Sequence, residues 1–269
     1  MNGFYFCLSR VFSFIGAWGL LLTGLLSAEC EINWEDRCEK NSYFQIGASY
    51  TRVNLRIPGF SSFDGNLGGI QGSYEYMPKD SLYAGLRAAW KQGKTENSDA
   101  DRRLIYIDVQ ERLGYTFASC CQDWSMTLFT GLGYRFLGHK LKQCEEPSIK
   151  FEYNEFYIPV GFLSEYRFCS CWSVGFNFVW MPQIYPTVEI KPLQGARWCL
   201  QEKLSNFLVE VPLTYDLTGD SCYMVILKPF YERWEDGRST AKTFSGQELG
   251  LPKNAYNFGG IELNFALYF

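Results

Sequence analysis

The sequence predicts an all-β fold, a transmembrane antiparallel β-barrel of about ten strands, and three observations carry that prediction. The first is the final stretch, FGGIELNFALYF. Ile261, Leu263, Phe265, Leu267 and Phe269 are apolar at every second position, Gly260, Glu262, Asn264 and Ala266 fill the other face, and Tyr268 alone breaks parity. Period-two alternation marks a strand with one face against an apolar medium. The second is composition: aromatics make up 18% and glycines number 25, yet mean hydropathy is only −0.16, too low for a bundle of membrane-spanning helices. Aromatic girdles and small interior residues produce that mixture. The third is recurrence, since alternating segments long enough to cross a bilayer, about 9–11 residues, can be placed ten times along the chain.

A strand with a continuous greasy face that stops on a terminal aromatic resembles the closing strand of bacterial outer-membrane β-barrels. The resemblance implies residence in a Gram-negative outer membrane, with outer-membrane lipid and lipopolysaccharide as surroundings. It also implies that Phe269, Leu267 and Phe265 form the signal read by the barrel-assembly machinery. Net charge of −4 and a pI near 5.3 leave no electrostatic footprint for nucleic acid, and that class is set aside.

Taken in order, the chain opens with Arg10, an apolar run VFSFIGAWGLLLTGLL over 11–26, the small residues Ser27 and Ala28, and then the polar ECEINWEDRCEK. This is the grammar of an export signal. The run is shorter than the ~20 residues of a spanning helix. Cleavage is expected after Ala28, with Leu26 standing where a small side chain is preferred. Cys30 is placed like a lipoprotein cysteine, but Glu29 occupies a position that needs a small residue, so no lipidation is expected. Residues 1–28 are therefore read as signal peptide, 29–42 as a short periplasmic segment and 43–269 as barrel.

The ten strands are expected over 43–52, 67–76, 82–92, 103–117, 124–136, 153–168, 172–181, 206–215, 222–234 and 256–269. The connections between them alternate as an outer-membrane barrel requires. MPKDS, ASCCQD, CSC and DLTGDS are short, whereas 58–66, 93–101, 137–152, 182–205 and 235–255 are longer. Two features sit awkwardly. Pro159, Pro212 and Pro229 fall inside strands and each deletes a ladder donor, so bulges are expected there. Glu111 falls on the lipid-facing parity between Val109 and Leu113, so a bulge or slipped register over 108–112 is expected to turn it inward.

The opposite parity collects Glu75, Arg87, Lys91, Asp108, Arg112, Arg135, Glu155, Glu165, Arg167, Glu210, Lys228, Glu232 and Glu262. An eight-stranded barrel is just wide enough to be filled by side chains, and ten strands add modest room. Nearly balanced signs suit an interlocked plug, because buried ions need partners, whereas an ion-selective pore biases its lining to one sign.

The chain has ten cysteines, nine without Cys7 of the leader. Cys30, Cys38, Cys120, Cys121, Cys169, Cys171 and Cys222 are all expected at the periplasmic face, and Cys144 and Cys199 in consecutive outer loops, where a bridge between them would tie those loops together. An exported compartment permits disulfides, and an odd count leaves one thiol free or bonded to another molecule. The CC and CxC spacings are not those of a zinc site and no histidine lies near, so no metal is expected. The periplasmic ring of cysteines resembles the envelope proteins of chlamydia-like bacteria, which implies disulfide links to other envelope proteins.

No catalytic set emerges and no cofactor is expected. His139, the only histidine, is expected in a solvated loop just beyond the fifth strand. A ten-stranded barrel with a rim site resembles the omptin proteases, but no spacing unites His139 with Asp101, Glu235 or Asp236, and no serine is placed to serve it. Lys140 and Lys142 suit contact with lipopolysaccharide phosphate. GNLGG and FGG look like phosphate loops but precede no helix. The function expected is a structural or surface role with a side-chain-filled lumen. A narrow porin or solute channel is the alternative, and an omptin-like rim enzyme the third reading.

Overall fold

The computed structural model describes residues 41–59, 62–97, 101–118, 124–142, 149–169, 171–191, 197–217, 222–239, 241–242 and 248–269. The expected signal peptide and segment 29–42 lie almost wholly outside them, as do Cys30, Cys38, Cys120, Cys121 and Cys144. The described part is all β. The first five strands are β1 (Ser42–Arg56), β2 (Phe63–Tyr76), β3 (Ser81–Glu96), β4 (Asp101–Ala118) and β5 (Trp124–Lys142). Then come β6 (Lys150–Tyr157), β7 (Val160–Arg167), β8 (Trp172–Trp180), β9 (Gln183–Lys191), β10 (Arg197–Cys199), β11 (Phe207–Glu210) and β12 (Leu213–Asp216). The last are β13 (Tyr223–Asp236), the small hairpin β14 (Ala241–Lys242) and β15 (Glu248–Leu249), and β16 (Asn254–Tyr268).

These make a closed antiparallel barrel of ten traversals. Strands β1 to β5 pair in sequence, and β6 with β7 forms the sixth crossing, antiparallel to β5. β8, continued by β9, is the seventh, and β11 with β12 the eighth. β13 follows, then β16, which pairs with β1 and closes the ring from Tyr43 opposite Tyr268 to Arg56 opposite Ala255. Short turns gather at the end holding the start of β1 and the end of β16, which is the periplasmic end in barrels of this kind. In the first of them Asp80 takes φ 49°, its carboxylate accepts from Ala118 N (3.1 Å) and its carbonyl from the Tyr115 hydroxyl (2.6 Å).

The crossings outrun the bilayer. β4 has 18 residues and β5 has 19, against the roughly 9–11 that suffice to cross, and the surplus stands at the long-loop end. Side-chain polarity reverses along the way. In β1, Phe44, Ile46 and Tyr50 face outward and are exposed. Past Thr51 the outward positions are Arg52, Asn54 and Arg56, while inward Val53 and Leu55 are fully buried. β2 does the same with outward Asp64 and Asn66 against inward Phe63 and Leu67, and β4 with Arg103 against Leu104. No register shift accompanies the reversal. Only the medium outside changes, from lipid to water. The outer-loop regions also hold strand structure that alternation did not reveal. β9 continues the seventh crossing within 182–205, where an extra residue between Ile184 and Thr187 bulges it against β6, with Tyr185 at φ 52°. That bulge switches the buried parity from Gln183 to Val188 and Ile190 and hides the period.

The bulges expected at the prolines do not form. Ile158 and Pro159 interrupt the sixth crossing, yet Tyr157 opposite Gly133 and Val160 opposite Thr130 keep one register. Val211 and Pro212 interrupt the eighth, likewise without slip, and at Pro229 β13 runs on unbroken against β16. The proline carbonyls keep their places in the ladder: Ile158 N donates to the Pro182 carbonyl (3.1 Å), and Val211 N to the Pro229 carbonyl (3.0 Å). Pro229 leaves the Val211 carbonyl without its ladder donor, and Pro212, whose carbonyl accepts from Gly175 N (2.7 Å), leaves a second gap on the β8 side, yet neither breaks the register.

The slip expected at Glu111 is absent too. Leu86, Glu111 and Leu132 stand in one unbroken row, and the Glu111 side chain is exposed on the outward face. Continuous ladders on both sides of β4 hold more backbone hydrogen bonds than one carboxylate can overturn, since lipid exposure of an acid costs less than the roughly 2–4 kcal/mol of an Arg or Lys at the midplane.

Candidate functional site

The bore is the concave feature of the molecule, and the inward parity of every crossing supplies it. Of the thirteen charged residues expected there, Glu75, Arg87, Lys91, Asp108, Arg112, Arg135, Glu155, Glu210, Lys228, Glu232 and Glu262 are buried. Glu165 and Arg167 are only half-buried, because they sit near the short-turn mouth of β7.

The charges interlock across the bore in two clusters. In the first, Glu262 on β16 receives Lys228 (2.9 Å), Arg87 (3.5 Å) and Lys91 (3.8 Å), and Glu210 on β11 receives Arg87 (2.8 Å) and Lys228 (3.4 Å). Gln71 donates to Glu262 (2.5 Å) and to Asn264 (2.9 Å), and Asn177 to Glu210 (3.2 Å). Glu210 and Glu262 are thus served by several donors each, which is what makes buried carboxylates tolerable. In the second, Arg135 on β5 meets Glu232 on β13 at 2.7 Å, and Glu232 also accepts from the Tyr106 hydroxyl (3.3 Å). The Arg135 guanidinium lies over the rings of Trp234 (4.0 Å) and Tyr106 (4.7 Å). Its Nε and Nη2 have no hydrogen-bond acceptor, so ring faces take their place.

Neutral polar groups finish the network. Tyr157 donates to Asp108 (2.6 Å), as does Gln110 (2.9 Å), while Arg112 donates to Gln110 from Nη2 (2.6 Å) and covers Phe129 (4.8 Å). The Tyr83 hydroxyl donates to Glu75. Tyr157 reaches Asp108 by lying over Gly133, where a Cβ would come within 2.2 Å of its ring. Charge counting missed Gln71, Tyr106, Gln110, Tyr157, Gln183 and Asp236; all share the parity of their charged neighbours, and that parity was the available signal. Asp236, placed at the rim by sequence, is fully buried and accepts from Trp234 Nε1 (3.1 Å).

Toward the long-loop end an apolar layer seals the bore. Val53, Leu55, Leu67, Leu104, Leu137, Val188, Trp234, Tyr256 and Phe258 are buried in one cluster. His139 belongs to this layer. It is an inward residue of β5, 3% exposed, not a solvated loop histidine, and its Nε2 lies 2.9 Å from the Tyr256 hydroxyl with Tyr153 against its ring edge. The fifth strand continues through Lys142 and carries it inward. Lys140 stands outward and exposed. Toward the short-turn end a cavity of about 80 Å³ opens among Tyr43, Glu75, Arg112, Glu165 and Tyr268, room for a few waters. Among the described residues no His, Cys, Asp and Glu cluster could hold a metal ion.

At the same end the closing strand has its outward row Ile261, Leu263, Phe265 and Leu267. Tyr268 turns inward to stack on Tyr43 (4.6 Å), and Phe269 is exposed 6.3 Å from Tyr74. Cys169, Cys171 and Cys222 are half-buried near the short turns, and Cys199 is exposed on β10.

No protein-family model matches the sequence, and no curated protein matches it. Solved structures do. The outer-membrane protease OmpT of Escherichia coli superposes with a TM-score of 0.59 at 10% identity, covering 87% of this chain and 98% of that one. The translocator domain of the autotransporter NalP from Neisseria meningitidis gives 0.46 at 9% identity over 97% of this chain and 98% of its own, and Ail of Yersinia pestis 0.33 at 10% over 83% and 99%. Identities this low speak for architecture alone. The fold of this chain is that of the bacterial outer-membrane β-barrels.

Proposed function

We propose that the protein is a non-enzymatic outer-membrane barrel with a closed bore, whose task is structural and surface-directed. The observation that carries this reading is the filling of the bore, by paired ions at membrane depth and by the apolar layer around Leu55, Leu104 and Tyr256 above them. A conducting path needs hydrated continuity, and the cavity beside Glu75 and Arg112 lies on the short-turn side of that filling. Above the belt the outward residues Arg52, Lys94, Arg103, Lys140 and Arg233 face the level of lipid headgroups, which supports contact with lipopolysaccharide phosphate. Export by the leader, delivery through the assembly machinery and disulfide links at the periplasmic face complete the proposal. Cys169, Cys171 and Cys222 near the short turns support the last.

Planar-bilayer conductance tests the central claim. A closed bore gives no discrete steps, and steady unitary conductance would instead support the narrow channel. Non-reducing gels of native envelopes test the links: complexes that collapse with reductant are expected, and a monomer under both conditions removes them. The omptin-like reading draws on fold alone, and His139 inside the apolar layer offers no substrate access. Proteolysis lost on His139→Ala would restore it.

A further inference from the structure

Glu111 is the charged side chain that the bore does not explain. On β4 it stands outward with Leu113, Tyr115 and Phe117 on its short-turn side and Val109, Ile107 and Ile105 on the other, so it lies at the middle of the greasy belt. Its row neighbours are Leu86 and Leu132, and no hydrogen bond or ion pair reaches its carboxyl. Among the described residues the other charges at that depth point inward. An ionisable group facing lipid without a partner marks a contact that the single chain leaves unfinished.

The surroundings indicate what completes it. Thr130, opposite Leu113 on β5, is also outward and exposed, which sets a hydroxyl diagonally beside the carboxyl. Around this pair the belt is low: on β3 the outward Ala84 and Ala88 flank Leu86, and Gly72 of β2 stands outward opposite Ala88. Two and three crossings away the belt carries exposed Phe156, Phe176 and Trp180 instead. Small outward residues let backbones approach closely in lipid. A patch holding both a donor and its acceptor is complementary to itself, which is the requirement of a two-fold contact.

We propose that this face, centred on Glu111 and Thr130, binds a second copy of the chain in the membrane, each Thr130 hydroxyl donating to the partner's carboxyl while the Leu86 and Leu113 side chains fill the opposing hollow at Ala84 and Ala88. The inference rests on the membrane reading of the belt, and the experiment separates the two. Leu113, and three crossings away Phe176 on β8, are replaced one at a time by the photo-crosslinker p-benzoylphenylalanine in the full chain expressed in an outer membrane. After irradiation the membranes are reduced and run on gels. A covalent dimer of two copies from position 113 and none from 176 is expected, with dimer yield at least tenfold lower when Glu111→Leu is added. The leucine restores the belt's alternation, so heat-modifiable migration should persist and report a folded barrel. No dimer from position 113, adducts there only with lipid or another protein, or an undiminished dimer in the Glu111→Leu chain would overturn the proposal. Recovery of the chain in the aqueous fraction would instead overturn the membrane reading beneath it.

Discussion

The membrane-depth half of the barrel and its outer half are built from the same strands with opposite rules. In the lower half, Phe44, Ile46 and Tyr50 of β1 face out and the inside holds Arg87, Lys228, Glu210 and Glu262 as an ion network. In the upper half, Arg52 and Arg56 face out and Val53 and Leu55 are packed inside, as in a water-soluble sandwich. The pleat continues through the change, so the cause is the external medium. Where lipid solvates the outer face, apolar side chains gain nothing by turning inward, and the bore is left to polar groups that must satisfy one another. Where water surrounds the barrel, burial of apolar area again favours the inside. Stability is therefore expected to come from different sources in the two halves.

Substitutions in each half sharpen that contrast. The largest effect is expected at the seam, where Arg135→Ala strands Glu232 in the bore and removes the cation packed on Trp234. A loss of about 3–5 kcal/mol is expected, read from denaturant unfolding in lipid vesicles by tryptophan fluorescence. Leu104→Ala, in the outer apolar layer, should behave like a soluble core truncation and cost about 2–5 kcal/mol; a lower melting temperature of the folded band checks it, and a cost near zero would mean that the upper layer is not a core. Gly133→Ala pushes the Tyr157 ring off its seat and weakens the bond to Asp108. About 1–3 kcal/mol is expected, and replacing Tyr157 by Phe in the same chain should recover little of it. The smallest effect belongs to the belt. Leu263→Ala, on the outward face of β16, exchanges one lipid contact for another and should cost about 0.5 kcal/mol, so a loss as large as that of Leu104→Ala would erase the distinction between the halves.

Much of this architecture could be read from residues. The period-two rows of the third strand (Leu82, Ala84, Leu86, Ala88, Trp90) and of β16 fixed which face meets lipid, because a one-residue slip would turn every greasy side chain into the bore. Ten alternating segments gave the crossing count, and the alternation of short and long connections supported it. Strand ends were less legible. β5 was expected to stop at Phe136 but continues to Lys142, because past the belt the greasy residues change face and the repeat that announces the strand changes phase. His139 was misplaced for that reason. The prolines misled because a lost ladder donor does not by itself demand a bulge: Pro212 and Pro229 each remove one donor, on the two sides of the eighth crossing, while the bonds to their carbonyls and the register persist.

The amino-acid order by itself determined the barrel, its inside and its outside, since each follows from alternation along one strand and from the turn that joins it to the next. Which charges meet was decided only in three dimensions. Arg87 and Glu210 lie on β3 and β11, and Arg135 and Glu232 on β5 and β13, pairs that ladder neighbours cannot bring together and that exist because the sheet closes on itself. The apolar seal above them is likewise a product of closure: Leu55, Leu104, Leu137 and Tyr256 come from four strands and touch because the ring is narrow enough for side chains to meet at its axis.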